Sequence, residues 1–319
     1  MMEALSIAVL DAATLGADID LSVLDSIGHT TVYPLTSRQE VGPRIAQCDV
    51  CILNKVRLDA QVLAQAGRLK LICVAATGYD NIDTAYCKAH GIAVCNVAGY
   101  STNSVSQLTL AMVLSASVNL NAFRSAVADG RYSAGGVQNI LTPVYHELAG
   151  KTWGIVGYGG IGKKVAEAAR ALGCQVVVHK RTAVEGVPCL PLEELLKISD
   201  IVTVHVPLND GTRGMIGQRE LALMKDGAFL VNVARGAVLD EAAVVQAVES
   251  GKLGFFGCDV YSTEPMPEDH PYFAIRSREN VCLTPHMAWG AYEARARCLQ
   301  EICENIRTFQ SGGQRNRIV

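Results

Sequence analysis

The chain has 319 residues, 18% of them charged and 50% hydrophobic, with a formal net charge of −3. That length supports two domains with large cores, and the composition is that of an ordinary soluble globular protein. A slightly acidic balance argues against nucleic acid or an anionic membrane as the main partner, and the longest apolar run, residues 108–118, is interrupted by Ser115 and Ser117. The N-terminal Met-Met-Glu-Ala-Leu-Ser-Ile-Ala-Val-Leu carries an acid where a secretory leader is basic, and reads as a first strand. Eleven cysteines, an odd number scattered through apolar segments, suit reduced core thiols in a cytoplasmic protein. Cys48-Asp-Val-Cys51 has C-x-x-C form but opens a strand and lacks a second ligand pair, so it reads as core and no metal is expected.

Residues 5–11 form a short apolar strand, and strand-like pieces at Val32-Tyr33, 50–53 and 71–74 then alternate with helical ones. This alternation predicts an α/β fold with a parallel sheet. Ligands bind beyond the carboxyl ends of such strands, so the loops at Asn54-Lys55 and at 75–81 are candidates to hold a small substrate. The N–H groups around Thr77 and Gly78 suit a carboxylate, the alternative being a plain turn with Gly78 at positive φ. Residues 91–96 are a further strand. Ser104-Val-Ser-Gln107 fits a capping box, from which a helix runs on through Leu108, Ala111, Met112 and Ser115. The domain boundary falls at this helix: residues 1–100 with 290–319 form one domain and 101–289 the other. Residues 130–150 read as irregular.

Residues 151–182 are the most informative stretch. An apolar strand (153–156) runs into Gly157, Gly159 and Gly162 with G-x-G-x-x-G spacing. A helix pattern follows with Ile161, Val165, Ala168 and Leu172 on one face, Gly173 ends it, and a second strand (176–178) begins. In that context Gly157 permits the turn, Gly159 lets a pyrophosphate approach, and Gly162 lets helix and strand pack. The order strand, turn, helix, strand favours dinucleotide binding over an unliganded turn. The cofactor set from this stretch is Gly157, Gly159, Gly160, Ile161 and Gly162, with Lys180, Arg181 and Thr182 at the end of the second strand. The strand–helix rhythm then continues through strands at 201–206, 228–233, 254–260 and 281–284, and a last helix near 291–310 leads back to the first domain.

Arg235, Glu264 and His286 stand just beyond the ends of successive strands, along one edge of a doubly wound sheet. Together they suggest hydride transfer to a 2-keto acid. An imidazole has the intrinsic pKa to donate a proton to the keto oxygen. A carboxylate on its other nitrogen fixes the tautomer, and a guanidinium forks onto the substrate carboxylate. His205 and His270 read as structural.

These residues carry a specific resemblance. The segments 76–83 (Ala-Thr-Gly-Tyr-Asp-Asn-Ile-Asp), 157–162, 231–240 (Val-Asn-Val-Ala-Arg-Gly-Ala-Val-Leu-Asp), 259–265 (Asp-Val-Tyr-Ser-Thr-Glu-Pro) and 284–289 (Thr-Pro-His-Met-Ala-Trp) resemble the D-isomer-specific 2-hydroxyacid dehydrogenases, in family order and over nearly the whole chain. The resemblance implies a flavodoxin-like substrate domain and a Rossmann cofactor domain, each a doubly wound parallel sheet, with the active site in the cleft. It implies Arg235, Glu264 and His286 as the catalytic set, Thr77 and Gly78 (with Arg235 and His286) on the substrate, and a homodimer held through the cofactor domain. It also implies cofactor contacts from Val206, Pro207, Thr212, Val233, Ala234 and Asp259, with Asp259 on the nicotinamide amide. Within the family the motifs look most like glycerate dehydrogenases, that is, hydroxypyruvate reductases.

One departure matters. NAD enzymes place an acid after the second strand for the ribose 2′-hydroxyl. Here the strand ends His179-Lys180-Arg181-Thr182, and two cations attract a 2′-phosphate, so NADP(H) is expected over NAD(H). The leading expectation is therefore an NAD(P)-dependent reductase of hydroxypyruvate or glyoxylate. A D-lactate-type reductase is the alternative on the same machinery, with Asn54, Lys55, Tyr79, Tyr100 and Trp289 setting substrate size. A nucleotide-sensing corepressor on the same fold is the non-enzymatic alternative, and it would not require all three catalytic types.

Overall fold

The computed structural model describes residues 5–182 and 184–319. The chain divides into two α/β units, one made of the residues up to Ser101 together with Gly290–Val319, the other of Thr102–Trp289.

In the first unit, β1 (Leu5–Val9), β2 (Gly28–Val32), β3 (Val50–Leu53), β4 (Leu71–Val74) and β5 (Ala93–Cys95) form a parallel sheet in the order β2-β1-β3-β4-β5. This is the flavodoxin-like order, which reverses between β1 and β3. β3 and β4, Val-Cys-Ile-Leu and Leu-Ile-Cys-Val, are buried at every position, as strands covered on both faces must be. The helix Tyr292–Gln310 lies against β4 and buries Ala294, Cys298, Leu299, Ile302 and Ile306 at helical spacing. Cys48 and Cys51 are buried free thiols, and burial pushes Cys48 up to about 12, which fits core packing rather than thiolate chemistry.

In the second unit, β6 (Thr152–Val156), β7 (Gln175–His179), β8 (Ile201–Val204), β9 (Ala228–Asn232), β10 (Leu253–Cys258) and β11 (Val281–Leu283) form a parallel sheet in the order β11-β10-β9-β8-β6-β7. A single parallel bridge from Val178 to Cys189 extends it beyond β7. The order reverses at β6 and β8, and every pairing is parallel, so all six carboxyl ends share one edge. Trp153, Ile155, Val165, Ala166 and Ala169 fill the core under the helix Gly160–Ala171, which packs on the helix Thr102–Ser117.

Three local expectations are corrected. The capping box at Ser104 does not form: the helix begins at Thr102, and the Ser104 hydroxyl donates to the Ala288 carbonyl instead. The glycine-turn helix buries Gly162, Val165, Ala166 and Ala169, whereas Leu172 is exposed. Small residues face inward because this helix lies close on the sheet, and a stripe picked by side-chain size is rotated from the true one. The strand begun at Ile201 ends at Val204, leaving Val206 and Pro207 in the loop beyond it. A further helix, Leu120–Ala128, follows Asn119 at φ 49°. Within residues 130–150 the only helix or strand is the short helix Arg131–Ala134.

Candidate active site

β6 ends at Val156, and Gly157 turns the chain at φ +100°. A Cβ there would lie 2.7 Å from the His205 backbone and 2.9 Å from Val206 Cγ1, so the turn passes directly beside the end of β8. At Gly162 a Cβ would lie 2.2 Å from the Gly157 carbonyl oxygen. Gly159 differs: its φ is −88°, and a Cβ there would meet nothing within 4 Å. Packing within the protein gives no reason for glycine at 159, but close approach by a ligand does. The N–H groups of Gly160, Ile161 and Gly162 begin the helix and have no partners within it, and the first helical bond there runs from Lys163 N–H to the Gly159 carbonyl, 2.9 Å. Open space over free donors at the start of a 12-residue helix fits a pyrophosphate.

A buried relay supports this turn. Trp153 Nε1–H donates to Thr203 Oγ1 at 3.1 Å, and that hydroxyl lies 3.0 Å from His205 Nε2. A hydroxyl accepts twice and donates once, so Thr203 ties the two rings together with either tautomer of His205, whose Nδ1 has no hydrogen-bond partner among the described residues. Burial pushes the His205 imidazole down to about 3, so it is neutral at any working pH and serves structure. Further along the edge, Lys180, Arg181 and Thr182 follow β7 and are exposed. Thr212 folds its hydroxyl back onto the Pro207 carbonyl (2.6 Å) and accepts from Asn209 N–H (2.9 Å), so it shapes its own loop.

Arg235 follows β9, after the buried Val233 and Ala234. The fully buried Asn232 accepts from Ala234 N–H (3.0 Å) and donates to the Arg235 carbonyl (2.9 Å), which sets the turn that presents Arg235. Glu264 lies in the loop after β10; its Oε1 accepts from Tyr261 N–H at 3.0 Å, and its Oε2 is 2.6 Å from His286 Nδ1. A carboxylate only accepts, so Nδ1 carries the proton and Nε2 is left for proton exchange with another group.

His286 has φ +51°, in the left-handed region that a non-glycine residue rarely occupies. Its loop is clamped to hold that conformation. Asp259 Oδ1 accepts from Thr284 Oγ1 (2.6 Å) and Met287 N–H (2.9 Å), and Oδ2 from Ala288 N–H (2.9 Å). Trp289 Nε1–H donates to the His286 carbonyl (3.0 Å), and Tyr261 O–H to that of Thr284 (2.9 Å). Burial pushes the Asp259 carboxyl above the usual carboxylate range, against the pull of those hydrogen bonds and of His286. The Asp259 carboxylate, for which the resemblance implies a contact to the nicotinamide amide, thus also holds the loop that carries His286.

In the first unit, Thr77 Oγ1 donates to the Val97 carbonyl (2.9 Å) and Asn96 Nδ2 to that of Thr77 (2.7 Å). Among the described residues the N–H groups of Thr77 and Gly78 have no acceptor, which leaves two donors side by side. Asp11, which in the sequence only ends the first strand, is 3% exposed and accepts from the N–H groups of Asn54 (2.9 Å), Lys55 (2.6 Å) and Val56 (3.2 Å). Asn81 Nδ2 donates to the carbonyls of Asn54 (3.3 Å) and Val56 (2.8 Å). The loop after β3 is thus fixed from both sides, at the point where the strand order reverses.

Residues 110–288 match the family described as D-isomer specific 2-hydroxyacid dehydrogenase, NAD binding domain. A glycerate dehydrogenase of Methylorubrum extorquens is 35% identical over 87% of this chain and 88% of its own. The chain belongs to this family. A second D-2-hydroxyacid dehydrogenase relative, a hydroxypyruvate reductase of Blautia hydrogenotrophica, is 33% identical over 98% of this chain and 99% of its own. Among solved dehydrogenases, the D-lactate dehydrogenase of Aquifex aeolicus complexed with NAD and lactic acid superposes with a TM-score of 0.85, at 28% identity over 96% of each chain. Membership makes the glycine turn of this dehydrogenase part of an NAD-binding domain, and the open position at Gly159 agrees with it.

Proposed function

We propose that this dehydrogenase reduces a short 2-keto acid, hydroxypyruvate or glyoxylate, to the D-hydroxy acid, with NADP(H) preferred over NAD(H). The observation that carries the reading is the 2.6 Å pairing of His286 Nδ1 with Glu264 Oε2 at the sheet edge that also bears Arg235 and the glycine turn. When bound, the nicotinamide supplies the hydride. His286 gives the proton from Nε2 to the oxygen that becomes a hydroxyl, and Glu264 fixes the ring tautomer. Arg235 binds the substrate carboxylate and polarises the carbonyl. In the first unit, Thr77 and Gly78 offer that carboxylate their N–H groups.

Gly157, Gly159, Gly160, Ile161 and Gly162 receive the cofactor pyrophosphate, and Val206, Pro207, Thr212, Val233, Ala234 and Asp259 form the remaining wall. Lys180, Arg181 and Thr182 take the ribose end, where two exposed cations favour a 2′-phosphate. Residues 1–100 with 290–319 act as the substrate domain and 101–289 as the cofactor domain of a cytoplasmic homodimer. The apolar side chains of Leu120, Val127, Val137, Leu141 and Val144, each more than half exposed, support pairing through the second unit. The similarity to a D-lactate dehydrogenase favours pyruvate as the second substrate reading. A panel of hydroxypyruvate, glyoxylate and pyruvate with NADPH and with NADH tests the proposal. Highest kcat/KM for hydroxypyruvate or glyoxylate with NADPH supports it, and turnover of none of the three would overturn it.

A further inference from the structure

A second carboxylate–imidazole pair lies behind the first. Glu241 opens the helix Glu241–Glu249, and His270 opens a short turn after β10. Their side chains are 10% and 3% exposed, with His270 Nε2 3.0 Å from Glu241 Oε2, in ion-pair range though off the axis of a hydrogen bond. Tyr272 N–H donates to His270 Nδ1 (3.2 Å), so the ring proton is on Nε2, towards the carboxylate. Glu241 in turn grips Ser262 with both oxygens: Oε1 accepts from Ser262 N–H (2.8 Å) and Oε2 from Ser262 Oγ (2.5 Å).

Ser262 belongs to the loop of Glu264. Its neighbour Tyr261 packs edge-on against the His270 ring at 5.7 Å, donates its N–H to Glu264 Oε1 (3.0 Å), and donates its hydroxyl to the Thr284 carbonyl (2.9 Å) in the loop of His286. The pair therefore touches Ser262 in the Glu264 loop and Tyr261, whose N–H holds the Glu264 carboxylate. The same loop rests on the residue after Arg235: a Cβ on Gly236 would lie 2.0 Å from the Tyr261 carbonyl carbon and 2.2 Å from Ser262 N. No other side chain fits there, so the Arg235 turn and the Glu264 loop are held in contact through backbone.

We propose that the Glu241–His270 pair is a positioning device for the Glu264–His286 dyad, acting through Tyr261 and Ser262. This rests on the reading of Glu264 and His286 given under Proposed function. A bidentate, charge-assisted grip on Ser262 confines the loop, and a proton donor works only while its partner is held to within a fraction of an ångström. The test is a double-mutant cycle, run with the keto acid and cofactor that the wild type turns over fastest.

Glu241→Gln keeps the shape and loses the charge. It should lower kcat about tenfold and leave the cofactor KM within about twofold. In a Glu264→Gln background the same change should cost nothing further, because the carboxylate it positions is already absent. Equal losses in both backgrounds, or no loss in folded Glu241→Gln, would overturn the proposal. Ser262→Ala, at an exposed position, repeats the test should Glu241→Gln not fold: a loss of about fivefold confined to the Glu264 background supports the role, and no loss opposes it. If Glu264→Gln itself leaves kcat unchanged, the dyad reading fails; if only Glu264→Gln matters, the positioning role alone fails.

Discussion

The backbone carbonyl of His205 lies where a side chain on Gly157 would have to go, 2.7 Å from the site of its Cβ. Gly157→Ala therefore meets overlap as well as a φ of +100°, and should cost at least about 2 kcal/mol of stability. Gly159→Ala should leave stability within about 0.5 kcal/mol, since its Cβ meets nothing and φ is ordinary. It should nonetheless raise the cofactor Kd about tenfold or more, because the methyl occupies the approach of the pyrophosphate. Thermal melts with cofactor titrations check the pair. Wild-type affinity in Gly159→Ala would show that no phosphate lies over that residue.

Lys180 and Arg181 are exposed at the end of β7, so a cofactor 2′-phosphate would reach them with little burial cost. Lys180→Ala/Arg181→Ala should lower kcat/KM for NADPH by about tenfold or more and change that for NADH little, given about 1.5–3 kcal/mol for a charged hydrogen bond. The wild-type preference should weaken as salt is raised. A wild-type NADPH/NADH ratio at or below one would end the argument for the 2′-phosphate.

Glu264 Oε2 stands 2.6 Å from His286 Nδ1 and so fixes which ring nitrogen carries the proton. Glu264→Gln replaces an obligate acceptor by an amide that can turn an N–H towards Nδ1, so the ring is no longer held in one tautomer. It should lower kcat by about a hundredfold, within the range of a lost general acid. Steady-state kinetics check it: a kcat within about twofold of the wild type would take Glu264 out of the proton-transfer role.

Much of this site could be read in the sequence because strand ends are legible there. The ends of β9, β10 and β11 are apolar runs stopped by loops, and they carry Arg235, Glu264 and His286. Gly157, Gly159 and Gly162 were legible from spacing, although only the structure separates the packing glycines from the open one. What stayed hidden was the support. Asp11, Glu241 and His270 act through contacts with residues 21 to 45 positions away, and no local pattern marks them. Ser104 misled for a related reason: a serine near a helix start reads as a cap, but its hydroxyl has a partner 184 residues on.

Asp11 offers a test within the first unit. Its buried carboxylate accepts the N–H groups of Asn54, Lys55 and Val56. Asp11→Ala should cost about 1–3 kcal/mol, from donors left unsatisfied, and loosen the loop after β3. If that loop meets substrate, the keto-acid KM rises while the cofactor KM holds. Unchanged kinetics in a destabilised variant would leave Asp11 a purely structural role.

His205 sets a pH limit on stability. Burial holds its imidazole down at about 3, whereas an unfolded histidine titrates near 6.5. Below about pH 6.5 the unfolded chain takes up a proton that the folded chain refuses, so stability falls as pH drops and the loss saturates near pH 3. At about 1.4 kcal/mol per unit, the wild type should lose up to about 2 kcal/mol between pH 7 and pH 5 through this residue alone. His205→Gln cannot take up that proton, and its stability should fall less steeply over the same interval, although it is lower at pH 7 for want of the Thr203 contact. Urea unfolding at pH 7, 6 and 5 measures both slopes. Parallel slopes would mean that the ring is protonated in the folded protein, with Thr203 Oγ1 then accepting from both Trp153 Nε1–H and His205 Nε2–H.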